Sequence, residues 1–88
     1  MNVSLDISMY PLKDEFCQPI IDFINRLEQA PGLVLERNSL STQVFGDLQT
    51  IMGLMTKELE TVFEQNPHTV FVMKMVGVNR SKADIHAC

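Results

Sequence analysis

Along this chain the spacing of apolar residues switches between two and about 3.6, and the order of those switches leaves few folds open. From Asn2 to Tyr10 the residues alternate, with Val3, Leu5, Ile7 and Met9 on one side and Asn2, Ser4, Asp6, Ser8 and Tyr10 on the other. That is a half-buried strand, and Pro11 ends it because proline cannot donate to a ladder. From Lys13 to Ala30 the period lengthens: Phe16, Ile20, Phe23, Ile24 and Leu27 form one stripe, with Asp22, Arg26 and Glu28 opposite. This predicts an amphipathic helix. Two starts are compatible with Pro19. Either Asp14 caps a first turn that Pro19 bends, or the regular helix begins near Gln18 with Pro19 at its first position, which is the preferred reading because the missing N–H costs nothing there. Ala30-Pro31-Gly32 is a stop signal.

Leu33 to Arg37 reads as a short strand, the polar pair Asn38-Ser39 as a turn, and Ser41 to Phe45 as an antiparallel return strand. Gly46-Asp47 opens a second helix with Asp47 as N-cap. It runs to about Gln65, with Leu48, Ile51, Met52, Met55, Leu59, Val62 and Phe63 on its buried stripe. Asn66-Pro67 closes it. Thr69 to Val78 alternates with both faces apolar except for Lys74, so burial on both sides is expected. Residues 79–88 have no period and read as a C-terminal tail or short edge element after a single domain spanning 1–78.

Strand, helix, strand, strand, helix, strand is the order of a ferredoxin-like α+β sandwich: a four-stranded antiparallel sheet with two helices on one face. The crossover rule places the first and third strands side by side, bringing Asp6, Ser8 and Tyr10 next to the Ser41 to Phe45 strand. One sheet face is left without helices. Carrying Val70, Val72 and Val76, it is expected to pack on another subunit, giving a homodimer or homotetramer.

Composition limits the function classes. At 88 residues the chain holds one modest core, and 45% hydrophobic with 20% charged residues is a globular balance. No apolar run approaches the roughly 18 to 20 residues of a membrane span. Seven unclustered Lys and Arg with a net charge of -4 argue against a nucleic-acid partner and mildly favour a cationic or neutral ligand. The N-terminal residues lack the features of a secretory signal, so a cytoplasmic protein with reduced cysteines is expected.

No nucleotide or catalytic motif is present in the sequence. Asp84, His86 and Cys88 can together ligate a transition metal if ordered, although three ligands in a terminal tail are more often incidental; no metal site and no cofactor are expected. Cys17 reads as a small apolar filler, His68 as a solvated turn residue, and Met52, Met55, Met73 and Met75 as packing. Gly53 in mid-helix reads either as a point of close approach or as simple tolerance on an exposed turn. Lys74 and Asp6 can pair across strands, or either can meet a ligand. The densest polar stretch is Asn38 to Asp47. It can be no more than turn, strand and cap.

Read with its flanks, that stretch carries a resemblance. Ser8-Met9-Tyr10-Pro11-Leu12, Pro19-Ile20-Ile21-Asp22-Phe23-Ile24, Gly32-Leu33-Val34, Asn38 and Leu40-Ser41-Thr42-Gln43-Val44-Phe45-Gly46-Asp47 resemble the YkoF-like branch of the thiamine and hydroxymethylpyrimidine-binding proteins. The likeness runs from about Ser4 to the end of the second helix. It implies ferredoxin-like domains that associate, and binding of thiamine or its pyrimidine half without turnover, in supply or sensing of the vitamin. Many relatives are tandem, so a pocket built across two domains would here need a second subunit. An aminopyrimidine needs hydroxyl or amide partners, a carboxylate or carbonyl, and an aromatic or aliphatic wall. Ser8, Asn38, Ser41 and Thr42 can supply the first, Asp6 or Asp47 the second, and Tyr10 and Phe45 the third. The other reading is a regulatory or assembly domain whose open sheet face binds a protein.

Overall fold

In a computed structural model, which describes residues 1–81, the elements follow the expected order: β1 (Asn2–Tyr10), α1 (Cys17–Glu28), β2 (Val34–Arg37), β3 (Thr42–Asp47), α2 (Leu48–Gln65) and β4 (Val70–Val76). The strands form one antiparallel sheet in the order β2-β3-β1-β4, so β1 and β3 are central neighbours, as the crossover rule requires. Pairing fixes the faces. Leu5 opposes Val44 and Ile7 opposes Thr42 on the helix side, whereas Asp6 opposes Gln43 on the open side.

The core lies between the sheet and the helices. Val3, Leu5, Ile7 and Met9 of β1 and Val44 of β3 meet Phe23 and Leu27 of α1 and Ile51, Met55 and Val62 of α2. Phe71 adds an aromatic cluster, with its ring centroid 5.4 Å from that of Phe23 and 5.6 Å from that of Phe63.

Several elements depart from expectation. Helix α1 starts at Cys17, one residue from the preferred start near Gln18, and its N-cap Phe16 makes no side-chain capping bond, so Asp14 does not cap it. Pro19 falls at the third helical position, where an N–H would have had no intrahelical partner. Cys17 is exposed in that first turn and does not fill the core. Past the helix end, Gly32 takes φ +78°, the left-handed conformation the stop signal called for. On α2, Met52 is exposed, whereas Glu58 is buried and pairs with Arg26 of α1.

The largest departure is β4. It lies at the sheet edge, and Val70, Val72, Met73, Met75 and Val76 are all exposed. Its two-sided apolar pattern reflects surface left uncovered in the monomer. After β4 the chain folds back: Ser4 Oγ donates to the Val78 carbonyl (2.7 Å) and accepts from Arg80 N–H (2.7 Å). Asp84, His86 and Cys88 lie outside the described residues. No helix among the described residues is long and apolar enough to cross a membrane.

Candidate functional site

The loop between β2 and β3 is built by Asn38, whose Oδ1 accepts from the N–H groups of Leu40 (2.8 Å) and Ser41 (3.0 Å). The side chain mimics a backbone turn, which is why a short polar residue stands there. Asn38 N–H closes the loop on the Ser41 carbonyl (3.1 Å). Ser8 Oγ reaches from β1 to the Leu40 carbonyl (3.4 Å) and ties the loop to the sheet.

Under this loop, between α1 and the end of β1, lies a groove of about 370 Å3. Five of the sequence-named residues line it: Ser8, Tyr10, Asn38, Ser41 and Thr42. Its volume is in the range of small-ligand sites. Leu12, Phe16, Ile20 and Leu40 also line it, and sequence reasoning did not name them for the site. Tyr10, Leu12, Phe16 and Leu40 are exposed large side chains, so the groove has apolar walls open to water. The signal was weak: Phe16 looked like a core residue of the first helix, and only as N-cap does it swing to the groove end.

Alternation along β3 separates Ser41 from Thr42. Ser41 Oγ donates to Asp6 Oδ1 on the open face (2.7 Å), and Gln43 Nε2 donates to the same oxygen (2.9 Å) and to Ser41 Oγ (2.8 Å). These hydrogen bonds from Ser41 and Gln43 hold the Asp6 carboxyl below its ordinary value, with a smaller contribution from the Lys74 charge, against a modest burial cost. Thr42 points to the helix side, is only 6% exposed, and its hydroxyl makes no hydrogen bond among the described residues. A hydroxyl without a protein partner among the described residues, on a groove wall, is a ready contact for a ligand.

The remaining named residues lie elsewhere. Asp6 and Phe45 line a second depression, of about 420 Å3, on the open sheet face with Lys74 and Arg80. Phe45 is buried there and forms no part of the groove wall. Asp47 stands at the opposite end of β3 from Thr42, where its carboxylate accepts from Thr50 N–H (3.2 Å) and pairs with the Met1 ammonium (3.2 Å). The Thr50 bond, then that ammonium, lower its pKa, as befits a helix cap.

No family model and no curated protein sequence matches the chain. Solved structures do match in fold. Protein SP2199 of Streptococcus pneumoniae superposes with a TM-score of 0.82 at 16% identity, covering 97% of this chain and 93% of its own. TM0486 of Thermotoga maritima, a candidate thiamine biosynthesis or salvage protein, gives 0.77 at 16% identity, covering 98% and 90%. A DUF77 domain of Bacillus cereus gives 0.74 at 14%, covering 97% and 84%. At such identities the likeness establishes the ferredoxin-like fold over nearly the whole chain.

Proposed function

We propose that this protein binds thiamine or a hydroxymethylpyrimidine compound in the groove between α1 and the β1–β3 pair, as a non-catalytic cytoplasmic carrier or sensor of the vitamin. The observation that carries the reading is the hydroxyl of Thr42, a buried residue in the groove wall, which makes no hydrogen bond among the described residues. A pyrimidine ring nitrogen accepts from that hydroxyl, or its exocyclic amine donates to it. Tyr10 and Phe16 offer the apolar faces against which the ring lies, and the carbonyls of the Asn38–Ser41 loop are further acceptors for the amine. The thiamine-related description of the Thermotoga maritima protein agrees with this ligand class.

In this reading Asp6 acts at a distance. It takes the Ser41 hydroxyl and so anchors the start of β3, while Thr42 meets the ligand. Calorimetry with thiamine and with hydroxymethylpyrimidine is the test. Thr42→Val keeps the shape and removes the hydroxyl, and loss of one hydrogen bond should weaken binding by about tenfold. No heat from either compound at millimolar concentration sinks the proposal.

A second reading is favoured by the exposed valines at 70, 72 and 76 on a face without helices. There the domain serves assembly, and its open face meets a partner protein. Thr42→Val separates the two, because an assembly surface on the other side of the sheet is insensitive to it.

A further inference from the structure

Three side chains that periodicity assigns to packing stand exposed, and they stand together. Met52 of α2 is 48% exposed, and Met73 and Met75 of β4 are 46% and 40% exposed. Strand register sets Met73 opposite Ile7 and Met75 opposite Leu5, both core residues, so the two methionines lie on the helix side of the sheet. There, with Met52, the buried Met55 and Leu59, they line an open groove of about 340 Å3 between α2 and β4. Four of the six methionines of the chain therefore border one space. The edge position of β4 is the cause, because its helix-side residues have a neighbouring strand on one flank only.

Leucine at these positions would be apolar and inert. A thioether is apolar and also open to two-electron oxidants, to a degree set by its access to solvent. Hydrogen peroxide transfers one oxygen to it: a sulfur lone pair forms the S–O bond as the O–O bond breaks, and the departing hydroxide takes the proton left on the new oxygen to give water. The sulfur is oxidised, the peroxide is reduced, and a flexible apolar side chain becomes a polar sulfoxide.

We propose that this groove is a modification site, where hydrogen peroxide converts Met52, Met73 and Met75 to sulfoxides while the fold persists. None of the three belongs to the buried core, so their oxidation leaves the packing beneath intact. Met55, 3% exposed, and Met9, 9% exposed, are shielded and keep their thioethers. The product is a polar groove where an apolar one stood. None of the three lines the groove of the candidate site, so the inference does not depend on what that groove binds.

Brief treatment of the native full chain with hydrogen peroxide, followed by peptide mapping in a mass spectrometer, is the test. Met1, 73% exposed, serves as an internal reference for an open thioether. Met52, Met73 and Met75 should each oxidise at a rate close to that of Met1, and about tenfold or more faster than Met9 and Met55. The far-UV circular dichroism of the oxidised chain should stay that of the native fold. If any of the three reacts no faster than Met9 and Met55, or if the native spectrum is lost as they oxidise, the site is overturned.

Discussion

Ser41 and Thr42 are neighbours in sequence with similar side chains, and the sheet gives them opposite tasks. Ser41 turns to the open face, where Asp6 and Gln43 take up its hydroxyl, whereas Thr42 turns inward with its hydroxyl unspent. The Asp6 network has a pH consequence of definite sign. Because hydrogen bonds from Ser41 and Gln43 lower its folded pKa below 3.8, its contribution to stability is complete above the unfolded value and fades as pH falls through the folded one. Urea midpoints taken between about pH 5 and pH 2.5 should therefore fall more steeply for wild type than for Asp6→Asn. Parallel profiles would show that the network contributes nothing.

At the scale of elements, helix α2 carries a residue that works against it. Gly53 sits in mid-helix, and a Cβ added there would meet no atom within 4 Å beyond its own helix, so nothing else in the described chain approaches that turn closely. Gly53→Ala should stabilise the protein by about 1 kcal/mol, raising the melting temperature by roughly 4 to 8 °C. A decrease on thermal melting would mean that something does dock at this turn. Gly46 is the opposite case: its missing side chain leaves room for Leu33, which a Cβ would displace. Gly46→Ala should cost about 1 to 3 kcal/mol by overpacking, read from the urea midpoint. The tie between α1 and α2 is also polar, because Arg26 meets the buried Glu58. Helical periodicity alone put Arg26 on the solvent side, since pattern counts polarity and not the partner facing it.

For the whole molecule, the uncovered sheet is the feature that bears on assembly. β4 is a seven-residue edge strand whose outer edge pairs with no strand among the described residues and whose exposed apolar side chains lie on both faces, a form that monomers generally avoid. If the open face closes on a second copy, sedimentation of the wild-type chain shows an oligomer, and Val72→Lys shifts it to monomer. A wild-type monomer at high micromolar concentration would remove self-association from the proposal. Ligand binding in the groove should survive Val72→Lys, because Val72 is not among its lining residues.

The element order, the central placement of β1 and β3, the Asn38 loop and the Asp47 cap were all legible in the sequence, because they follow from periodicity, turn chemistry and chain handedness. Five of eight candidate site residues share one groove for the same reason: they cluster where the end of β1 meets the start of β3. Tertiary structure alone decided the rest. It sent Asp6 and Phe45 to the other face and Asp47 to the far end of β3, brought Phe16 to the groove, and put the apolar β4 at an edge. Periodicity reports which side chains share a face of their own element; which neighbour covers that face is fixed only when the elements pack, and here that packing left the buried residue Thr42 in the groove wall with a hydroxyl that has no protein partner among the described residues.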